Sequence, residues 1–195
     1  MDSVIFRNDD VNPNTNFKDL SDLYCEIGEN VPGCRIISCF NFFARTCESG
    51  SVYSGVPFKD KPVNWFYDVN RVLNPYLVSG DCASHGLFHI DHTKVSKDTQ
   101  EMSILSSCRL LKVKTFVPPF NRFNEDTIDI CKENDIWLVG LQEKWKSIEH
   151  EEFDPNHKYW YFHSWRFNSK IMGNIFNGYR SNLGQLQRSI NGAAR

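Results

Sequence analysis

Short runs of β-branched and aromatic residues alternate along this chain with longer segments of helical period, and that alternation limits the fold more than any other feature. VIFR reads as a first strand. FKDLSDLYCEIGEN follows, with Phe17, Leu20, Leu23, Tyr24 and Ile27 at helical spacing and Gly28 behind the last of them. RIISCFNFFA is a buried second strand, and residues 46–61, with two glycines and a proline, form a surface loop. The spacing predicts a helix over 63–77, a third strand within YLVSGDCASHGLFHID, and a helix over 96–111 built on Met102, Leu105, Cys108, Leu110 and Leu111. VKTFVPPFN is a strand stopped by Pro118 and Pro119. NEDTIDICKENDI is a helix with Asn124 as its N-cap. WLVGL and YWYFHSWRF are strands, and 181–190 is a closing helix. Strand–helix alternation of this kind means parallel β/α construction, with an open doubly wound sheet and a closed or nearly closed barrel both compatible with it.

At 195 residues, without a low-complexity tract or internal repeat, the chain is read as one domain, residues 1–195. Its 22 Lys plus Arg against 24 Asp plus Glu supply no bulk attraction for nucleic acid or an anionic membrane, so neither is expected as a partner. No stretch has the roughly 18 apolar residues of a membrane span. MDSVIFRNDD reaches acidic residues before any apolar signal core, so a cytoplasmic location is expected. The seven cysteines include no C-x-x-C pair, which excludes a zinc knuckle and a thioredoxin-type motif and leaves reduced, mostly buried thiols.

Polar, metal-capable residues follow the apolar strands at several places, and the ends of parallel strands form the ligand-facing rim of such folds. Asp9 and Asp10 come after VIFRN, and adjacent carboxylates there require a cation, an arginine or a shared proton. His85 and His89 are four apart, a spacing that lets two imidazoles converge on one metal. Gly86 and the missing glutamate argue against a zincin helix. His92, close by, is read as a supporting or ordinary surface residue. In PPFN the two prolines stiffen the strand exit and leave the Phe120 N–H as a fixed donor. His163 ends a late apolar strand.

The order of these pieces resembles the polysaccharide deacetylases of the NodB-homology, carbohydrate esterase family four type. DD after the first strand, H-x-x-x-H after the third, PP-aromatic-Asn after the fourth and a late strand-end His carry the resemblance, from about Ile5 to Phe167. It implies a distorted, incomplete (β/α) barrel of about seven parallel strands. It implies that Asp10, His85 and His89 bind one divalent metal, zinc first, with Co²⁺, Ni²⁺, Mn²⁺ or Fe²⁺ as alternatives. Asp9 would be the general base, His163 the general acid, and the Phe120 N–H an oxyanion donor. The substrate would be an N-acetylated sugar or glycan precursor of a surface polysaccharide, and the reaction a deacetylation releasing acetate. The chain departs from the family pattern in three places. It reads Phe6-Arg7-Asn8-Asp9-Asp10-Val11 rather than Thr-Phe-Asp-Asp-Gly, and Val117 stands where the family has an arginine paired with the catalytic Asp. Its last motif is Tyr161-Phe162-His163, whose acidic partner the sequence does not assign. Arg7 or Arg122 could replace the missing charge, and Trp145 matches the aromatic wall of the cleft. Two other readings fit the same residues: a catalytically silent carbohydrate-binding barrel, and a hydrolase of another acyl amide or ester, as in the YdjC type.

Overall fold

The structure, a computed structural model, describes residues 3–12, 15, 17–41, 82–151, 153–163, 172–173, 175 and 177–178. The loop expected over 46–61, the helices expected over 63–77 and 181–190, and Cys47 lie outside the described residues.

Seven strands form one sheet: β1 (Ile5–Val11), β2 (Arg35–Phe40), β3 (Cys82–Ser84), β4 (Thr115–Phe116), β5 (Trp137–Leu138), β6 (Lys146–Ser147) and β7 (Tyr159–His163). Their order is β5-β4-β3-β2-β1-β7-β6, and every pairing is parallel. The sheet curls into an incomplete α/β barrel, with β5 and β6 its edges among the described residues. Helices α1 (Phe17–Asn30), α2 (Lys97–Leu111) and α3 (Glu125–Glu133) follow β1, β3 and β4. Among the described residues no helix is long and apolar enough to cross a membrane.

Strand parity sorts the buried residues into two layers. Phe6, Ile36, Phe40, Trp160 and Phe162 face outward and pack with Leu20, Tyr24 and Ile27 of α1. Phe116 and Leu138 pack the same way with Ile104 and Cys108 of α2 and Ile130 and Cys131 of α3. The residues of opposite parity, Ile37, Cys39, Ala83, Val117 and Val139, form an inner cluster that Ile5 and Trp145 join. Arg7, Asp9, Tyr161 and His163 share this inner parity toward the ends of β1 and β7.

The structure departs from the sequence expectations in three informative ways. β1 does not stop at Arg7 but runs through both aspartates to Val11, because β2 and β7 pair with it on either side. β6 was not anticipated: it is a two-residue edge strand, Lys146–Ser147, without an apolar run to announce it. Most instructive is α2. Met102 and Leu110, counted toward its apolar stripe, are exposed, and its buried face carries Gln100, Ser103 and Ser107 beside Ile104, Cys108 and Leu111.

α3 begins as expected at Asn124, whose Oδ1 accepts the Thr127 N–H at 3.2 Å while Thr127 Oγ1 accepts the Asn124 N–H at 3.3 Å, a reciprocal capping box. Thr127 Oγ1 also donates to Gln100 Oε1 at 2.6 Å and so ties the start of α3 to α2. Asn124→Ala is expected to cost about 1 kcal/mol, read as a lower urea midpoint at unchanged slope, with Asn124→Asp keeping most of the stability. An unchanged midpoint in Asn124→Ala would show that the cap contributes nothing.

Candidate metal centre and hydrolytic site

The site begins with an irregularity in β1. Between the paired positions Asn8↔Ser38 and Val11↔Phe40, β1 advances three residues while β2 advances two. The extra residue is a bulge, and Asp10 within it has φ 62, in the left-handed region that Asp tolerates better than most side chains. In a regular strand Asp9 and Asp10 would point to opposite faces. Here both reach the inner, strand-end side.

Asp10 meets the two histidines behind β3. Its Oδ1 is 2.8 Å from His89 Nε2 and 3.3 Å from His85 Nε2, and its Oδ2 is 3.7 Å from His163 Nε2. One ligand atom from each of Asp10, His85 and His89 can be chosen so that all lie within 4.8 Å of one another. His85 Nδ1 is 2.9 Å from the Val117 carbonyl. A carbonyl can only accept, so Nδ1 carries the proton, and in the neutral ring Nε2 then presents a lone pair to a carboxylate oxygen. Two lone pairs so placed call for a cation between them. The buried Asp10 Oδ1, moreover, accepts no well-directed hydrogen bond. Burial pushes the Asp10 carboxyl up, but positive charge at the His85 and His89 imidazoles, in the place a metal cation would take, reverses this and holds it well below the usual range. Two imidazole nitrogens and one carboxylate fit a divalent transition metal that keeps open positions.

The backbone between the histidines is a turn, not a helix. Gly86 has φ 87, and a Cβ there would stand 2.8 Å from the Phe88 carbonyl oxygen, so only glycine fits. Phe120, at φ 59 in the one-turn helix Pro119–Asn121, sets its ring edge-on to His89 at 4.6 Å. The turn's own hydrogen bonds run from Asn121 N–H to Pro118 and from Arg122 N–H to Pro119.

Asp9 is held by Arg7. Nε and Nη2 donate to the two carboxylate oxygens, each at 2.8 Å, and Nη2 also donates to Asn121 Oδ1 at 2.7 Å. Arg7 is fully buried, and its guanidinium lies over the Trp145 ring at 4.6 Å and the Tyr161 ring at 5.1 Å. Trp145 thus sits between the inner apolar cluster and Arg7. Arg122, the other arginine considered for Asp9, is bonded to the buried Asp91 at 2.9 Å instead.

His163, paired with Asp9 in register across β1 and β7, has a partner the sequence did not assign. Glu149 Oε1 accepts the His163 backbone N–H at 2.7 Å and Nδ1–H at 2.8 Å. Burial acts to lower the His163 pKa, but the bond to Glu149 and the charges of Asp9, Asp10 and Glu149 outweigh it, and the net shift is upward. Glu149 lies in the acidic run EHEE, where sequence offers no reason to prefer one carboxylate. Asn121 was visible only as part of PPFN. His92 is not at the surface: it is fully buried with its ring 5.2 Å from Phe116, and burial holds its pKa down to about 4, so it is neutral at physiological pH. Burial likewise raises the thiols, to about 11 for Cys34 and Cys108 and about 12 for Cys131, which leaves them unreactive.

No family model matches the sequence, and no curated protein matches it. Solved structures do. A mutant of a CE4 family pseudoenzyme with restored enzymatic activity aligns at TM-score 0.58 and 11% identity over 95% of this chain and 63% of its own. The wild-type pseudoenzyme, from Bacillus anthracis, aligns at 0.55, and the chain spans 61% of it, so this chain covers less than two thirds of either. A family 4 carbohydrate esterase from Streptomyces lividans, solved with acetate, aligns at 0.56 and 10% identity over 94% of this chain and 88% of its own. A peptidoglycan N-acetylglucosamine deacetylase aligns at 0.57 and 13% over 92% and 82%. At such identities the likeness establishes the fold, which is that of the CE4 polysaccharide deacetylases.

The buried Arg7–Asp9 pair yields a stability test. Arg7→Met strands a buried carboxylate and is expected to cost about 3–5 kcal/mol in urea unfolding, with Asp9→Asn added to it recovering part of the loss. A cost below about 1 kcal/mol, the size of an exposed pair, would show that the pair is not buried in solution.

Proposed function

We propose that the chain is a metal-dependent hydrolase that removes the acetyl group from an N-acetylated sugar or glycan precursor. The observation that carries this reading is the convergence of Asp10, His85 and His89, with His163 Nε2 on the far oxygen of Asp10. The CE4 fold supports it, since named neighbours include a carbohydrate esterase and an N-acetylglucosamine deacetylase.

Asp10, His85 and His89 would hold the metal, which when bound polarises the scissile carbonyl and acidifies water. Asp9 accepts the proton of the attacking water. Arg7 occupies one lone pair on each Asp9 oxygen and fixes the carboxylate plane, while a second lone pair on each remains for that proton. The Phe120 N–H, carried on a rigid left-handed turn beside His89, donates to the developing oxyanion. His163 delivers a proton from Nε2 to the departing amine. Glu149 keeps Nδ1 protonated and favours the imidazolium, the form a general acid requires.

The existence of a CE4 pseudoenzyme with this fold keeps one other reading in view, a silent carbohydrate-binding barrel. Acetate release from N-acetylglucosamine oligomers decides between them. Wild type is expected to bind about one Zn²⁺ per chain and release acetate, Asp10→Ala and His89→Ala to lose the metal, and Asp9→Asn to keep it while losing turnover by about 10² or more. A wild type that takes up no divalent ion sinks the proposal, and full turnover in Asp9→Asn removes Asp9 as the base.

The pH dependence has a definite sign. His163 must be protonated to act, and its bond to Glu149 favours the imidazolium, so Glu149 helps to set the alkaline limb of the rate profile. Glu149→Gln removes that contribution, so the limb should move to lower pH, with activity on its acid side better preserved than at pH 8. A limb that stays in place would mean that His163 does not set it.

A further inference from the structure

The polar face of α2 calls for an explanation, because buried serines in a helix fill space poorly and bring hydroxyls that must be satisfied. Ser103 and Ser107 are one turn apart and fully buried. Both lead to the turn between His85 and His89. The Ser103 carbonyl accepts the Leu87 N–H at 3.0 Å, and its Oγ lies 3.1 Å from that N–H and 3.5 Å from the Phe88 N–H. Ser107 Oγ lies 2.7 Å from the Ser103 carbonyl and 3.0 Å from that of Ile104. Neither carbonyl can donate, so the Ser107 proton is committed there, and Ser107 must accept in its 2.5 Å contact with Ser84 Oγ. Ser84 in turn accepts the Gly86 N–H at 3.1 Å.

The outcome is a directed chain. The N–H groups of Gly86, Leu87 and Phe88, the three backbone donors between the histidines, all end on serine oxygens. The turn has little means of its own to do this, since Gly86 has no side chain and no room for one, and Leu87 and Phe88 carry no polar side-chain atom.

We propose that Ser103 and Ser107 are positioning residues: through Ser84 and the 86–88 backbone, α2 sets the spacing of His85 and His89 and so preorganises the metal centre. The inference rests on the reading of Asp10, His85 and His89 as metal ligands. It predicts that Ser103→Ala/Ser107→Ala speeds amide exchange of Gly86 and Phe88 in the metal-free protein, weakens Zn²⁺ about 10-fold in competition with a chromophoric chelator, and alters the visible spectrum of the Co²⁺-substituted protein. Ser38→Ala is the control, since it removes a buried hydroxyl bonded to Tyr24 at 2.7 Å and away from this turn. It should lower stability without moving any of the three readouts. Should the double variant not fold, Ser103→Ala alone, which leaves the Ser84–Ser107 bond in place, is expected to show the same changes at smaller size. Exchange, affinity and spectrum that match the Ser38→Ala control overturn the inference alone. A wild type that binds no Zn²⁺ overturns the metal reading and this inference with it.

Discussion

The site depends on the bulge in β1. A strand displays successive side chains on opposite faces, so two adjacent aspartates at a regular strand end could not serve one centre. The extra residue between Asn8 and Val11 breaks that rule at one position. Asp9 keeps the inner parity of Ile5 and Arg7, and Asp10 is turned from the outer face to meet His85 and His89. The left-handed backbone at Asp10 costs on the order of 1–2 kcal/mol. Pairing on both flanks of β1, with β2 and β7, holds the strand in this conformation. A strained residue in an over-determined strand is where functional geometry is commonly stored.

The other groups are fixed by similarly simple means. Register alone sets His163 beside Asp9 and Tyr161 beside Arg7, because β1 and β7 run parallel without slippage across their paired residues. Parity then places Arg7, Asp9, Tyr161 and His163 on one side of the sheet, above an apolar floor that includes Ile37, Cys39 and Val117. Arg7 is enclosed between two aromatic rings and two oxygen-bearing partners, so its charge is compensated where water is excluded. Glu149 reaches His163 from the segment following the edge strand β6.

Much of this was legible in the residues, and what was not has physical causes. Parallel α/β construction followed from the alternation of strand-like and helical segments, the incomplete barrel from the family resemblance, and the ligand candidates from their places behind strands. β6 was illegible because an edge strand of two polar residues leaves no periodic trace. The buried face of α2 was misjudged for a related reason: Met102 and Leu110 fit an apolar stripe, yet the side facing the sheet is held by serine hydroxyls that hydropathy does not count. Glu149 escaped because a carboxylate in an acidic run acquires its role only from a tertiary contact. Arg7 was visible as a candidate, but only the structure separates it from Arg122, which is bonded to Asp91.

Val117 bears on whether the site is intact. Where the family resemblance leads one to expect an arginine before Pro-Pro, this chain has an apolar residue, which by itself suggests a lost partner for Asp9. The geometry reads otherwise. A residue two places before Asp9 on the same strand necessarily shares its face, and Arg7 uses that relation to grip both carboxylate oxygens while Asn121, from the Pro-Pro turn, anchors the guanidinium from the β4 side. With the cation supplied from β1, a second arginine at 117 would have to be buried beside the first, with like charges in a medium that screens them poorly. Valine there completes the apolar floor under Arg7, while its carbonyl orients His85. Arg7 in β1 thus occupies the charge-compensating place that the family resemblance assigns to an arginine before Pro-Pro. The loss at 117 taken alone is no argument for a silent barrel.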